Sequence, residues 1–277
     1  MRFDHLVITR FNLRVSDTPA GEDWLRHRLY FFRSVCCPSI RSQTNQNFRW
    51  VVLFDSAREN WFEAEVQSLS KDGLFEPVWV EGRLLPRVVP AVAAQRSVAE
   101  WLITSRIDND DAIAHDYIDV VQSQFQEQEF EFINFQSGLQ LTDTGELFYT
   151  LDPSNPFISL IEKRTNELPQ CVYLSSHAEV ERHGRMRQIK SHPMWLQMIH
   201  GRNLGNGVQG IRSNPALLAR YFDIELAATP MSRQGLFANR ARSAASLAWR
   251  VIQKPSRLAR LGRLVRNRIK MAIKAPS

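Results

Sequence analysis

The chain has 277 residues, and its hydrophobic content of 44%, with 16 Phe and 7 Trp, argues against a disordered polypeptide. No stretch approaches the roughly 20 consecutive apolar residues of a membrane-spanning helix. The three cysteines, at positions 36, 37 and 171, have no zinc-binding spacing and fit a reducing compartment. Because the first residues also lack a signal-peptide core, we expect a cytoplasmic protein.

The net charge of +6 is distributed unevenly along the chain. Residues 233–277 contain 12 of the 35 Lys and Arg residues and no Asp or Glu. The remaining 23 basic and 29 acidic residues give residues 1–232 a net charge of −6. We therefore predict a globular domain over residues 1–232 and a basic, amphipathic helical tail over residues 233–277.

Apolar runs typical of strands alternate with helical patterns through the first half of the chain. The predicted strands are His5–Thr9, Phe48–Phe54, Phe75–Val80, Leu102–Ile107 and Phe130–Phe135. The predicted helices are Trp24–Val35, Trp61–Leu69, Ala91–Trp101 and Ala112–Phe125, and a hairpin is predicted over Leu139–Tyr149. This alternation predicts an α/β fold with a mostly parallel sheet flanked by helices, in which ligands bind beyond the carboxyl ends of the strands.

An acidic run follows the fourth predicted strand directly and contains Asp108, Asp110 and Asp111. Three carboxylates this close repel one another unless a cation neutralises them. Carboxylate oxygens suit Mg²⁺ or Mn²⁺, so the run is a candidate metal site. The residue pattern alone leaves an alternative open, in which Asp111 caps the helix predicted to follow.

The segment RIDNDDAI, residues 106–113, resembles the Asp-x-Asp signature of GT-A glycosyltransferases. Together with VITRFN, CPSI, FRWVVLFD, ITSRIDNDDAIAHDYI and WLQMIHGRN, it gives residues 3–210 a resemblance to the bacterial putative rhamnosyltransferase family. The resemblance implies a GT-A-like (Rossmann-like) fold. It also implies a metal-dependent glycosyltransferase that takes a sugar from a nucleotide-diphosphate donor, with rhamnose as one candidate sugar.

The resemblance also implies roles within the acidic run. Asp108 would contact the donor ribose and the metal, and Asp110 would bind Mn²⁺ or Mg²⁺ directly. Asp111 would support the site or cap the next helix. A cation held here could stabilise the diphosphate as it leaves.

Residues near the other strand ends are candidates for binding the donor. Arg10 could contact a phosphate and Phe11 could stack on the nucleobase, while Asp55 could accept a hydrogen bond from the base or ribose. Arg96 and Arg106 could hold the diphosphate. The alternatives are surface arginines, a core phenylalanine and a turn aspartate, and for Arg96 the surface alternative is favoured.

The second half of the chain supplies the remaining candidates. His200, in MWLQMIHGRN, is the first choice for a further metal ligand, and His177 is the second. Glu162 is the candidate base that would deprotonate the acceptor hydroxyl, and Trp195 is the candidate platform for an acceptor sugar. The alternatives are scaffold histidines, a solvated glutamate and a core tryptophan.

The tail carries an apolar stripe at helical spacing, formed by Leu258, Leu261, Val265 and Ile269, among many basic residues. Such a helix is typical of binding to an anionic membrane surface. We therefore expect peripheral attachment to the inner face of the membrane, near a glycan or lipid-linked acceptor. Nucleic acid is not expected as a partner, because no aromatic platform or groove-reading motif accompanies the charge.

Three alternatives stay open at the level of the sequence. The tail could be a solvated or disordered segment, and the whole chain could be a non-catalytic protein that binds nucleic acid or membranes through it. A nucleotidyl or phosphoryl transferase could use the same acidic run, but the chain has no glycine-rich phosphate loop such as GxxxxGKS.

Overall fold

The computed structural model describes residues 2–14, 16–175, 179–201 and 207–253. Its strands are β1 Phe3–Arg10, β2 Arg49–Asp55, β3 Glu76–Val80, β4 Trp101–Arg106, β5 Ala112–Ile113, β6 Phe130–Phe135, β7 Ser137–Thr142, β8 Leu147–Leu151, β9 Ser159–Lys163, β10 Arg185–Ile189, β11 Trp195–Ile199 and β12 Ile211–Arg212. Its α-helices are α1 Glu22–Phe31, α2 Cys37–Arg41, α3 Asn60–Ser70, α4 Val88–Gln95, α5 Tyr117–Ser123, α6 Ala216–Tyr221 and α7 Arg233–Gln253. A π-helical turn, Phe32–Cys36, joins α1 to α2, and a 3₁₀ turn spans Val180–Arg182.

The main sheet has the strand order β10-β6-β9-β4-β1-β2-β3. Its neighbours are parallel except at β9, which runs antiparallel to both β4 and β6. In the centre of the sheet Ile8 of β1 pairs with Arg106 of β4, and Arg10 pairs with Leu53 of β2. This confirms the predicted α/β fold with a mostly parallel sheet, and it brings the carboxyl ends of β1, β2 and β4 to one edge.

Alternating strand residues bury their side chains on the two faces of this sheet. Val7 and Ile103 pack against α1, α3 and α5 on one face. Leu6, Ile8 and Leu102 pack against α4 on the other. Both faces are therefore covered by helices, as the near-continuous apolar runs of β1, β2 and β4 predict.

A second, smaller sheet has the strand order β12-β8-β7-β11-β5. Its β7–β8 hairpin confirms the predicted hairpin, and Gly145 in the turn has a φ of +81°, which glycine adopts without strain.

The predicted helix over Ala112–Phe125 is wrong at its start. Ala112 and Ile113 form β5 and pair with Leu196 and Trp195 of β11, so the helix begins only at Tyr117.

Two further helix predictions need correction. The predicted helix Ala91–Trp101 is observed as α4, Val88–Gln95, and Trp101 begins β4 instead because it pairs with Phe3 of β1. The predicted helix Trp24–Val35 is divided into α1 and the π-helical turn. The start of β4 is set by its pairing with β1, a distant segment that local helical preference does not take into account.

The helix α7 supplies the described part of the basic tail. It packs beside β12, where the Arg212 N–H donates to Ser243 Oγ at 3.0 Å and Arg240 Nε donates to the Arg212 carbonyl at 3.2 Å. The predicted apolar stripe between Leu258 and Ile269 lies outside the described residues.

Within the part of the chain that the structure describes, no helix is both long and apolar enough to cross a membrane.

Candidate functional site

Arg106 and Asp108 form an ion pair at the carboxyl end of β4. The Arg106 Nη2 atom lies 3.1 Å from Asp108 Oδ1 and 3.0 Å from Oδ2. Burial alone would lower the pKa of Arg106, but the charge of Asp108, the neighbouring Tyr173 and the hydrogen bond to Asp108 together raise that pKa. The Asp108 side chain keeps 35% of its surface exposed, so a ligand can reach this pair from solvent.

Asp110 is buried, and two basic side chains meet at its Oδ2 atom. Arg28 of α1 donates a hydrogen bond to it through Nη1, and His200, directly after β11, places its Nε2 atom 3.0 Å away. The same Nη1 atom of Arg28 lies 3.2 Å from Asn109 Oδ1. A buried carboxylate needs such partners, because an uncompensated buried charge costs several kcal/mol. Helix α1, the acidic run and the end of β11 thus converge on one carboxylate.

The His200 ring is held from two further directions. It stacks on Phe31, with ring centroids 4.6 Å apart and an interplanar angle of 12°. Its Nδ1 atom lies 3.3 Å from His27 Nε2. Because a carboxylate only accepts, we assign the proton of His200 to Nε2, which donates to Asp110, while Nδ1 accepts from His27. These contacts keep His200 Nε2 directed at Asp110.

The other two polar residues of the run hold the backbone together. Asp111 Oδ1 accepts the Met198 N–H at 2.9 Å, and Asn109 Nδ2 donates to the Phe11 carbonyl at 2.8 Å. Burial, and after it the charges of Asp110 and Asp108, raise the pKa of the Asp111 carboxyl well above its usual range. The alternative in which Asp111 caps a helix is wrong, because the residues that follow it form β5.

Tyr173 contacts two arginines at the same edge of the sheet. The guanidinium carbon of Arg10 lies 4.3 Å from the centroid of the Tyr173 ring, and that of Arg106 lies 5.1 Å from it. The Tyr173 hydroxyl donates to the Ile8 carbonyl at 3.0 Å. Burial raises the pKa of Tyr173 to about 12, so the phenol stays neutral near pH 7.

Asp55 ends β2, near the end of β1. Its carboxylate is buried and forms an ion pair with Arg14, whose Nε atom lies 2.9 Å from Asp55 Oδ2. Asp55 Oδ1 accepts the Ala57 N–H at 3.0 Å, and the Asp55 N–H donates to Asn12 Oδ1 at 3.0 Å. Asp55 therefore stabilises the turn after β2 and also lies beside the strand ends where a ligand is expected.

Phe11 and Trp195 are core residues, which corrects their predicted roles in stacking on a nucleobase or a sugar. Phe11 is only 3% exposed, and its ring lies 5.2 Å from that of Phe32. Trp195 is 2% exposed and stacks on Phe157 at 5.1 Å with an interplanar angle of 12°. Since a ligand needs one open face of an aromatic ring to stack on it, and both rings are buried, neither residue can serve as a platform.

Glu162 lies far from the acidic run, which corrects its predicted role as a base. It pairs with Leu102 in the register of β9 and β4, four residues before Arg106, or about 13 Å along the strand. Its carboxylate is buried, and burial raises its pKa. Both of its oxygens accept backbone N–H groups, those of Gln170 at 2.8 Å and Cys171 at 2.9 Å.

Arg96 also lies at the opposite edge of the sheet. Its Nε atom donates to Glu76, the first residue of β3, at 2.9 Å. Its carbonyl accepts a hydrogen bond from Arg49, the first residue of β2. The Arg96 side chain is partly buried, with 16% of its surface exposed, and its place at this edge contradicts the predicted role in holding the diphosphate.

The structure therefore brings together Arg10, Arg106, Asp108, Asp110 and His200 from the predicted set. It adds His27, Arg28 and Tyr173, which the sequence reasoning missed. His27 and Arg28 share a face of α1 with Phe31, and two basic residues on an otherwise apolar helical face were an available signal. Tyr173 lies in CVYL, a segment of β-like composition that forms a turn in the structure, and its position follows only from the tertiary structure. His177 lies outside the described residues.

The predicted metal ligands are only partly assembled. Among the residues that the structure describes, no group of three His, Cys, Asp or Glu side chains is arranged to hold a metal ion. Asp110 Oδ2 and His200 Nε2 lie 3.0 Å apart at the strand ends, and a carboxylate oxygen and an imidazole nitrogen are both possible metal ligands. The third predicted ligand, Asp108, faces Arg106. These kinds of ligand atom fit a divalent cation such as Mn²⁺, because carboxylate oxygens suit this ion.

Comparison with solved structures gives several distant likenesses. S. aureus TarS is 11% identical, with a TM-score of 0.41, over 72% of this chain and 37% of that chain. S. aureus TarS 1–349 in complex with UDP-GlcNAc is 11% identical, with a TM-score of 0.38, over 78% of this chain and 62% of that chain. HddC from Yersinia pseudotuberculosis is 12% identical, with a TM-score of 0.32, over 69% of this chain and 91% of that chain. This chain thus spans less than two thirds of the TarS chains that it resembles.

Comparison with curated proteins gives no match. A family model described as "Putative rhamnosyl transferase" matches residues 7–211, which is more than half of the chain. The matched range includes the end of β1, the acidic run and His200, so it contains the strand ends on which the site is built. The chain therefore belongs to the putative rhamnosyl transferase family, a family of glycosyltransferases.

Proposed function

We propose that this protein is a metal-dependent glycosyltransferase that binds a nucleotide-diphosphate sugar at the carboxyl ends of β1 and β4. The observation that carries the proposal is the convergence of Asp110, His200 and the Arg106–Asp108 pair at this edge of the sheet. In open α/β sheets, ligands bind beyond the carboxyl ends of the strands. The family supports transfer of a sugar, with rhamnose as the candidate named by its description.

The cation would be Mn²⁺ or Mg²⁺, with Asp110 and His200 as ligands and Asp108 as the third. When bound, such an ion supplies positive charge that stabilises the diphosphate as it leaves. Arg28 compensates the Asp110 carboxylate in the buried part of the site. For His200 to bind the ion through Nε2, its proton would move to Nδ1, which would then donate to His27 Nε2 and keep Nε2 toward the ion.

The donor itself would be held by groups on three strand ends. Arg10 and Arg106 supply guanidiniums that can each make two hydrogen bonds to phosphate oxygens. Asp108 is exposed enough to accept from a ribose hydroxyl. Asp55, in its ion pair with Arg14, is the candidate for contact with the base or ribose.

The acceptor would be a cell-surface glycan or a lipid-linked sugar. The basic tail supports this part of the proposal, because residues 233–277 carry 12 cationic and no acidic side chains. A tail of this charge would attach the enzyme peripherally to the inner face of an anionic membrane, where a lipid-linked acceptor is presented.

The experiment that tests the proposal is calorimetric titration of the protein with UDP, dTDP and GDP, with and without Mn²⁺. We expect one of these diphosphates to bind and its affinity to increase with the metal. Asp110→Asn should remove the metal dependence, because it removes a charged ligand. Asp143→Asn, in an exposed turn of the β7–β8 hairpin, is the matched control and should bind like the unchanged protein. If no diphosphate binds in a metal-dependent way, the proposed function is wrong.

A further inference from the structure

Two cationic side chains share one aromatic ring beside the candidate site. Arg10 and Arg106 end the neighbouring parallel strands β1 and β4. Their guanidinium carbons lie 4.3 Å and 5.1 Å from the centroid of Tyr173. Like charges on adjacent strand ends repel each other, and both the ion pair of Arg106 with Asp108 and the negative face of the aromatic ring offset part of that repulsion.

Tyr173 is itself held firmly, although it lies in a segment without regular secondary structure. Its hydroxyl donates to the Ile8 carbonyl on β1 at 3.0 Å. The neighbouring Val172 N–H donates to Thr104 Oγ1 on β4 at 2.9 Å. The ring is therefore fixed to both strands whose last residues it contacts.

The anchor of this segment is the buried carboxylate of Glu162. It accepts the N–H groups of Gln170 and Cys171, and Cys171 adopts a φ of +60°, which is unusual for a residue other than glycine. The charge-assisted hydrogen bonds to Glu162 offset the cost of this backbone conformation. Glu162 thus affects the strand ends from a distance, through the segment that carries Tyr173.

We propose that Tyr173 is a positioning residue that aligns Arg10 and Arg106 as a pair of cations for the diphosphate of the donor. This inference rests on the proposed function, because it assumes that a nucleotide-diphosphate binds at these strand ends. A guanidinium held against a ring loses less side-chain entropy when it binds an anion. The two aligned guanidiniums of Arg10 and Arg106 match a ligand with two adjacent phosphate groups better than a ligand with one phosphate group.

The test compares nucleoside diphosphate and monophosphate binding in Tyr173→Leu and Tyr173→Phe. Calorimetry would use the base that the unchanged protein binds best, and thermal denaturation would show that each variant is folded. Tyr173→Leu removes the ring, and we expect about tenfold weaker diphosphate binding, with monophosphate binding changed by less than about twofold. Tyr173→Phe keeps the ring and should stay within about threefold of the unchanged protein for both ligands.

A matched control comes from another cation–ring contact. Arg26 lies over Trp61 at 4.2 Å, and Trp61→Leu should leave both affinities unchanged. If Tyr173→Leu fails to fold, Tyr173→Met supplies a longer, more flexible apolar side chain without a ring for the same titrations. In a double-mutant cycle with Arg10→Gln, the effect of losing the ring should become smaller, because the ring acts through that arginine.

The outcomes separate this inference from the proposed function. If the unchanged protein binds no diphosphate, the proposed function fails and the inference fails with it. If the unchanged protein binds the diphosphate and Tyr173→Leu binds it equally well, only the inference is overturned. Equal losses for monophosphate and diphosphate, or additive effects with Arg10→Gln, would also overturn it, because they indicate a general structural role.

Discussion

Glu162 accepts two backbone N–H groups in the interior, and its substitution distinguishes a structural from a catalytic carboxylate. We predict that Glu162→Gln lowers the free energy of unfolding by about 1–3 kcal/mol, because the amide leaves a buried N–H without an acceptor. Donor hydrolysis should fall by less than about tenfold, whereas loss of a general base costs about 10²–10⁴-fold. Denaturant titration and initial rates of donor hydrolysis measure the two effects. A large loss of kcat at unchanged stability would contradict this prediction.

The sequence predicts the positions of some residues of the candidate site better than those of others. Asp108, Asp110 and Arg106 could be predicted, because a strand followed by an acidic run places polar groups at the edge where ligands bind. Phe11 occupies a similar position after β1 but points into the core, where its ring contacts Phe32 and Phe54. Position after a strand does not determine which face a side chain takes, so the pattern predicts the position of the aspartates at the edge of the sheet but not the burial of Phe11.

The Trp195 ring of β11 lies directly over Gly138, its partner on β7. A Cβ atom at this position would lie 2.1 Å from the Trp195 ring, which real contacts do not allow. We predict that Gly138→Ala destabilises the protein by about 1–3 kcal/mol, because the core around Trp195 must shift. The affinity for the diphosphate should fall as well, since β11 leads directly into His200. Thermal denaturation and calorimetry measure both quantities.

The control for this prediction is Gly207→Ala, where an added Cβ atom would meet nothing within 4 Å. It should leave stability and affinity unchanged. If Gly138→Ala is as stable as the unchanged protein, the close contact between Trp195 and β7 is not rigid, and the packing of β11 on β7 does not fix the position of His200.

At the level of elements, the first half of the chain is the predictable part. Strands β1, β2 and β4 are continuous apolar runs, which are typical of a buried parallel sheet. The segment Ala112–Phe125 has helical periodicity throughout, yet its first residues join β11, more than 80 positions later. Strand β5 exists only because β11 pairs with it, and a local pattern contains no information about such a distant partner.

For the whole molecule, the charge contrast between the body and the tail gives a prediction about location. We expect that deleting residues 254–277 strongly weakens binding to vesicles containing anionic lipid, because the deleted segment carries most of the tail's basic residues. Cutting after Gln253 keeps α7, whose Ser243 and Arg240 bind Arg212 of β12. Vesicle co-sedimentation measures binding, with neutral vesicles as the control. Equal binding by the shortened protein would refute the role of the tail, and donor hydrolysis should be retained in either case.

Asp110 joins residues that are far apart along the chain, since Arg28 lies 82 residues before it and His200 lies 90 residues after it. Contacts of such long sequence separation form only after the intervening loops have closed. A partly folded chain therefore contains each of these side chains without the cluster that they form together. A nucleotide that binds here recognises the native state alone, so it would protect the protein against unfolding increasingly as its concentration rises above its dissociation constant.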